Sequence, residues 1–156
     1  MADAKRFLQQ VKLYDSKINS LLEELDNLKA MVTKITTTMK QDVVSSGGSQ
    51  DKIGDAVSKI VDLEAEINAA VDGFINRKKA VNDVLDKVYD PEQYAVLYKR
   101  YILYKRWEQI ACDMSMTYRN VLYIHGRALQ TVDAIMKGKG NGKEQKESTA
   151  ASVFTG

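Results

Sequence analysis

The sequence is poor in the residues that build disulfides, metal sites and catalytic centres. It contains one cysteine, one histidine and one proline. A single cysteine cannot form an internal disulfide, and Cys112 with His125 is too few for a four-ligand zinc site. A Ser-His-Asp or Cys-His catalytic site could use only His125. We therefore expect a protein that is not an enzyme and that needs no metal and no cofactor.

Long apolar runs are absent as well. No stretch approaches the roughly 20 apolar residues of a membrane span, and the opening MADAKRFLQQ lacks the apolar segment of a signal peptide. Apolar residues still make up 44% of the 156 positions, which is enough to bury a core. We expect a soluble protein of the cytoplasm that has no membrane partner.

The charges are unevenly distributed along the chain. Residues 1–91 carry 13 Lys and Arg against 15 Asp and Glu, whereas residues 92–137 carry 7 against 4. The basic excess therefore lies in the C-terminal third. It is either a surface that meets a polyanion or an ordinary solvated surface.

Apolar residues recur at alternating spacings of four and three along the first forty positions. This seam is typical of a long coiled-coil helix. Leu8 and Leu22 widen it on one side. Its members are Phe7, Val11, Tyr14, Ile18, Leu21, Leu25, Leu28, Val32, Ile35 and Met39.

A second long helix is predicted after a loop at about residues 40–50, where serines and glycines cluster. Its seam is less purely apolar, because Glu64 and Lys78 occupy two of its positions, with Leu63 and Ala70 beside it. The apolar members are Ile53, Val57, Ile60, Ile67, Val71, Phe74, Val81, Leu85 and Val88.

Two long helices joined by a short loop predict an antiparallel helical hairpin over residues 1–89. Such a hairpin has little core of its own, so we expect it to assemble as a homo-dimer or a higher homo-oligomer. The alternative is that it folds back on the C-terminal part. The residues we expect to mediate oligomerisation are Val11, Ile18, Leu21, Leu25, Leu28, Val32 and Ile35.

The segment 90–137 has the pattern of a helical DNA-binding module. Asp90 can cap a helix that begins at Pro91, with Gln93 as a capping-box partner. From Trp107 onward, a short helix, a turn at Ser115 and a second helix capped by Thr117 have the spacing of a helix-turn-helix. The predicted inward residues are Ile110, Ala111, Met114, Met116, Val121 and Ile124.

The outward residues of the second helix carry groups that can contact DNA. Arg119 can pair with guanine and Asn120 with adenine. Tyr118 and Tyr123 lie on the same two turns. Phosphate contacts, which set the register, are expected from Lys105, Arg106 and Arg127.

Two stretches of the sequence resemble known families. LYKRYILYKRWEQIACDMSMTYRNVLYIHGRAL resembles region four of bacterial sigma factors and of their phage-encoded relatives. Residues 33–57 are similar to an uncharacterised group from phages and prophages of Gram-positive bacteria. The matching positions are Trp107 to Ala111, Val121 and Ile124 to Leu129 in the first stretch, and 33–36, 45–47, 49–52 and 55–57 in the second.

The resemblance implies a phage transcriptional regulator, similar to late-operon activators and autolysin-regulatory proteins. It also implies contact with the RNA polymerase of the bacterial host. Two positions depart from the sigma-like pattern. Ser115 stands where glycine is favoured, so backbone strain is expected there, and Arg106 stands where a Ser or Thr cap is usual.

The sequence thus predicts an all-α protein: a helical hairpin at 1–89, a three-helix helix-turn-helix module at 90–137 and a disordered tail at 138–156. We expect it to regulate transcription by binding specific double-stranded DNA sequences. One alternative is a small terminase-like subunit of a phage packaging machine. Another is a protein-interaction module that does not bind DNA.

Overall fold

A computed structural model describes residues 2–41 and 48–138, and every regular element within these ranges is helical. The all-α prediction is therefore confirmed for the described chain. The loop predicted at 40–50 falls largely outside these ranges, as does the tail after residue 138. Of residues 39–41 and 48–50 only the backbone is described. The helices are α1 (Ala2–Gln41), α2 (Gly48–Leu85), α3 (Pro91–Leu97), a π-helical segment (Tyr98–Ile102), α4 (Trp107–Asp113) and α5 (Tyr118–Met136).

The chain divides into two compact units, and the division cuts through both long helices. The helix-pair unit contains residues 13–77. The multi-helix unit contains the start of α1 up to Lys12 and the chain from Lys78 onward. The sequence-based boundary at residues 89 and 90 separates functions, and it stays a prediction.

In the helix-pair unit, α1 and α2 pack side by side in opposite directions. Tyr14 lies against Gly73, and the Lys29 ammonium is 3.6 Å from a carboxylate oxygen of Glu64. Partner numbers fall along α2 as they rise along α1, so the two helices are antiparallel. The buried contact set is Leu21, Leu25, Leu63, Ile67 and Ala70.

The predicted seam of α1 agrees with the observed burial, since every described member from Phe7 to Ile35 is buried or half-buried. Leu22 does not widen that seam, because 43% of its surface is exposed. Ile18, Leu21, Leu25 and Leu28, expected in self-association, pack against α2 of their own chain.

The seam of α2 departs from the prediction at two of its turns. Val57 is 44% exposed, while Ala56 is buried. Leu63 takes the buried position beside Glu64, and Ala70 is buried next to Val71, which packs against the same cluster. Leu63 is the one large residue of these three buried positions, and the two alanines lie seven residues to either side of it.

The multi-helix unit has a core that is more completely closed to solvent. The first turns of α1 contribute Ala4, Leu8 and Val11, each at most 1% exposed. The other fully buried large side chains of this unit are Val81, Leu85, Val96, Leu97, Ile110, Val121 and Val132.

The predicted start of α3 is correct. The Asp90 carboxylate accepts hydrogen bonds from the backbone N–H groups of Glu92 (2.9 Å) and Gln93 (3.1 Å), and Pro91 occupies the first turn. Gln93 does not complete a capping box. Its side-chain oxygen instead accepts a hydrogen bond from the Thr131 hydroxyl of α5, at 2.7 Å.

The helix that starts at Pro91 widens before it ends. In the π-helical segment, the backbone N–H of Leu103 donates to the carbonyl of Tyr98 at 3.1 Å, one residue further back than in an α-helix. Tyr104 follows with a left-handed φ of 56°. The helix that starts at Pro91 therefore does not continue beyond Ile102.

Candidate nucleic-acid interface

The inner side of the corner formed by α4 and α5 is an apolar cluster. Ile110 and Val121 are fully buried and meet Val96 of α3. The inward set predicted from the sequence is present without exception. The cluster comprises Val96, Ile110, Ala111, Val121 and Ile124, with Trp107, Met114 and Met116 packed against it.

The turn between the two helices is closed by backbone hydrogen bonds. The N–H of Met116 donates to the carbonyl of Ala111 (2.9 Å), and the N–H of Ser115 donates to that of Cys112 (3.2 Å). This pair of bonds is a Schellman motif, which requires a left-handed residue just after the helix. Ser115 supplies it with a φ of 53°, so the backbone strain expected at this position is present.

The first turn of α5 is capped as predicted. The Thr117 hydroxyl accepts a hydrogen bond from the backbone N–H of Asn120 at 3.1 Å. This bond satisfies one of the free donors at the helix start. It also leaves the Asn120 side chain free to point outward, where it is exposed.

The outer face of α5 displays the residues predicted to contact DNA. Tyr118 is 47% exposed and Tyr123 is 61% exposed, and Arg119, Asn120 and Arg127 are exposed as well. At 100° per residue, the last three and Tyr123 fall within about 100° of the helix circumference. They therefore share one face, on the side away from the apolar cluster.

Two of these residues touch each other. The Arg127 guanidinium donates a hydrogen bond to the Tyr123 hydroxyl at 3.1 Å, and its carbon lies 5.8 Å from the ring centre. That hydrogen bond raises the pKa of Arg127 above its ordinary value. The contact limits how far either side chain can swing.

The two remaining predicted residues precede α4. Lys105 is half-buried, and its ammonium is hydrogen-bonded to Asp113, which Lys99 also approaches at 3.4 Å. The bond from Lys105 is the largest cause that holds the pKa of the Asp113 carboxyl below its usual range. The Lys105 ammonium is therefore already bonded to a carboxylate. Because two lysines lie beside one aspartate, the net charge at this position is still positive.

Arg106 is exposed and occupies the position before α4. A guanidinium has no acceptor atom, so it cannot cap the free N–H groups of the helix. The Gln109 side-chain oxygen instead accepts a hydrogen bond from the Arg106 backbone N–H at 3.1 Å. The missing Ser or Thr cap is thus only partly replaced.

A polar and aromatic network behind the corner was not predicted as a unit. The Arg100 guanidinium stacks 4.4 Å from the centre of the Trp107 ring and donates to the Lys105 carbonyl at 3.0 Å. Trp107 meets His125 edge-on, with ring centres 4.6 Å apart. These contacts hold the start of α4 against α5.

His125 belongs to this core rather than to the interface. It is buried, and its Nε2 is hydrogen-bonded to the Tyr101 hydroxyl at 2.7 Å. Burial is the main cause that lowers the pKa of His125 to about 4, with the charges of Lys5 and Arg100 adding to it. The imidazole is therefore neutral at pH 7 and adds no charge to the outer face.

Within residues 2–41 and 48–138, no three His, Cys, Asp or Glu side chains gather as metal ligands would. None of the helices in these ranges has the length and hydropathy that a membrane span requires.

Comparison with known proteins places the chain in one family. Neither the curated proteins nor the solved structures gave a match. One family model matches residues 33–133, which include the last turns of α1 and nearly all of the chain from α2 to α5. That match covers well over half of the 156 residues. The chain therefore belongs to the family described as "Protein of unknown function (DUF1492)".

Proposed function

We propose that this protein regulates the transcription of phage or prophage genes by binding specific double-stranded DNA sequences. In this proposal α4 and α5 are a helix-turn-helix, and α5 is its recognition helix. The observation that carries the proposal is the two-sided character of α5. Its inner side is fixed by a closed apolar cluster, and the first two turns of its outer side present Arg, Asn and Tyr to solvent.

The charge of this face favours a nucleic acid over a protein surface of mixed charge. Residues 114–132 contain Arg119 and Arg127 but no Asp or Glu. A phosphate backbone would therefore meet no acidic side chain along most of α5. Phosphate contacts supply most of the sequence-independent affinity of DNA-binding proteins. A face without acidic side chains does not repel those phosphates.

The individual side chains suit different parts of a DNA duplex. Arg119 has the paired donors that fit guanine O6 and N7, and Asn120 has the donor and acceptor that fit adenine N6 and N7. Arg127, oriented by Tyr123, is suited to a phosphate. Arg106 can serve the same purpose, while Lys105 would have to share its ammonium with Asp113.

One such motif contacts only a few base pairs, so useful specificity needs a second copy or another protein. Assembly of the chain through its long helices would supply a second copy. The sigma-like resemblance favours host RNA polymerase as a further partner.

The direct test is selection of binding sites from random double-stranded DNA, with wild type beside the Tyr118→Ala, Arg119→Ala, Asn120→Ala triple variant. We expect wild type to enrich one motif and the triple variant to enrich none. On the enriched site, Arg119→Ala alone should weaken binding by about 1–3 kcal/mol and relax the preference at one position.

Lys137→Ala is the matched control, because it also removes one positive charge but lies just after the end of α5, paired with Asp133. It should leave the selected motif unchanged. Equal loss of affinity by the Arg119 and Lys137 variants on every sequence would contradict base readout. Failure of wild type to enrich any motif would contradict direct sequence recognition by this protein alone.

A further inference from the structure

Helix α2 carries a second line of apolar side chains that its pairing with α1 leaves exposed. Val57, Val61 and Ile75 are 44%, 58% and 56% exposed. Val71 lies on the same line and is half-buried. Val71 also packs against the buried cluster of the helix pair, so this outer stripe borders the seam that faces α1. The stripe lies wholly within the helix-pair unit.

Helix α1 adds one apolar residue to the same side. The Lys29–Glu64 ion pair fixes the level of the two helices. Leu22 lies one heptad before Lys29, and Val71 lies one heptad after Glu64, so these two residues are at the same level. Leu22 is 43% exposed, which extends the apolar surface sideways near its middle.

The pattern of apolar and polar residues along the outer stripe is the same from either end. Its positions are 57, 61, 64, 68, 71 and 75, with spacings of four, three, four, three and four. Two valines come first, then Glu64 and Asn68, and then Val71 and Ile75. A line with this symmetry complements a copy of itself that runs the opposite way about a twofold axis at residue 66.

In that arrangement each side chain meets one of its own kind in polarity. Val57 faces Ile75 of the other copy, and Val61 faces Val71. Glu64 faces Asn68, whose amide can donate to the carboxylate oxygen that Lys29 does not approach. A polar pair within an apolar seam fixes register, as buried asparagines do in coiled coils.

The charge within the stripe favours the same direction. A parallel copy would place Glu64 against Glu64, which like-charge repulsion disfavours. An antiparallel copy places Glu64 against Asn68 instead.

We propose that the outer stripe of α2 is the dimer interface of this protein, and that its occupant is α2 of a second copy in antiparallel orientation. The interface differs from the seam Val11 to Ile35, whose central side chains already pack within the chain. It does not depend on DNA binding, because none of its residues lies on α5.

The first experiment measures the molar mass of the full chain by light scattering over a range of concentrations. We expect twice the 17.5 kDa of one chain. The Val61→Lys, Ile75→Lys double variant should weaken dimerisation more than about 100-fold, because apolar contacts in both halves of the interface are lost. Leu13→Lys is the control, since Leu13 is 65% exposed on α1 outside the stripe and should leave the mass unchanged.

Circular dichroism of the same samples checks that both variants keep the wild-type helix content. Because the changed side chains are exposed, no loss of folding is expected. A monomeric wild type would overturn the proposal. A Lys variant that stays dimeric would also overturn it and would point to the α1 seam instead.

The second experiment tests direction by disulfide cross-linking in a Cys112→Ser background, since Cys112 is exposed. A Glu64→Cys chain mixed with an Asn68→Cys chain should cross-link to each other. Each chain alone should cross-link at least about tenfold less, because antiparallel pairing separates identical residues by more than a helical turn. Efficient cross-linking of either chain with itself would instead indicate a parallel dimer and contradict the proposal.

Discussion

The two compact units of this protein exclude water from their cores to different degrees. In the helix-pair unit, every residue of the buried cluster keeps 5–9% of its surface exposed. In the multi-helix unit, Val96, Ile110, Val121 and Val132 keep none. Two helices meet along a single line and leave both flanks open, whereas several short helices can surround a side chain on all sides.

This difference indicates where stability is concentrated. Free energy from apolar burial rises with the area removed from water. We therefore expect the multi-helix unit, which carries the proposed DNA-binding corner, to be rigid in a single chain. The helix-pair unit has open apolar flanks, and it gains most from a partner that covers them.

The strongest test of this contrast removes the same side chain from each unit. Ile110→Ala should cost about 4 kcal/mol and Ile67→Ala about 2–3 kcal/mol, within the 2–5 kcal/mol range for buried isoleucine. The first cavity is enclosed on all sides, whereas the second can be filled by movement of an exposed flank. Urea denaturation followed by circular dichroism and by fluorescence of Trp107 measures both losses.

Trp107 is the one tryptophan of the chain, and it packs against the cluster that contains Ile110. Its transition should move with Ile110→Ala and move less with Ile67→Ala. Equal losses from the two substitutions would show that the helix pair is as tightly closed as the multi-helix unit, and the comparison would fail.

A second test concerns the closest approach of the two long helices. A Cβ added to Gly73 would lie 2.5 Å from the Tyr14 ring, whereas one added to Gly54 would meet nothing within 4 Å. Gly73→Ala should therefore cost about 1–3 kcal/mol from overpacking, although alanine favours helix. Gly54→Ala should instead add up to about 1 kcal/mol through helix propensity.

The free energies of unfolding of the two glycine variants, measured beside wild type, decide the matter. Changes of opposite sign in the free energy of unfolding of the two variants would support the close contact at Gly73. A stabilised Gly73→Ala variant would mean that Tyr14 does not pack on α2 at that level.

The two units also differ in how far their sequences predict them. At the corner of α4 and α5, large apolar residues, a turn and a cap coincide at fixed spacings, so all six predicted inward residues pack there. In α2, Val57 is more apolar than Ala56, and the apolar pattern alone selects it. The burial of alanines depends on how closely α1 approaches, which one helix's pattern does not contain.

The sequence does not predict contacts between distant parts of the chain, for the same reason. Its pattern places Leu8 at the flank of a coiled-coil seam, but Leu8 is fully buried in the multi-helix unit. The contact of Arg100 with Trp107, and that of Trp107 with His125, join residues with no shared periodicity. Local spacing predicts which face of a helix is apolar, but it does not say what covers that face.

The smallest predicted effect would show whether the tight corner tolerates strain. Ser115 holds a φ of 53°, a conformation that costs an L-residue other than glycine roughly 1–2 kcal/mol. Ser115→Gly removes this cost but gives the unfolded chain more freedom, which offsets about 0.4–1 kcal/mol. We therefore expect a net gain of up to about 1 kcal/mol in the free energy of unfolding, measured by urea denaturation through Trp107 fluorescence.

Ser115→Ala is the control and should gain nothing, since alanine shares the steric cost. Because Ser115 precedes α5, DNA affinity should stay unchanged. A Ser115→Gly variant less stable than wild type would mean that the turn does not require a left-handed residue.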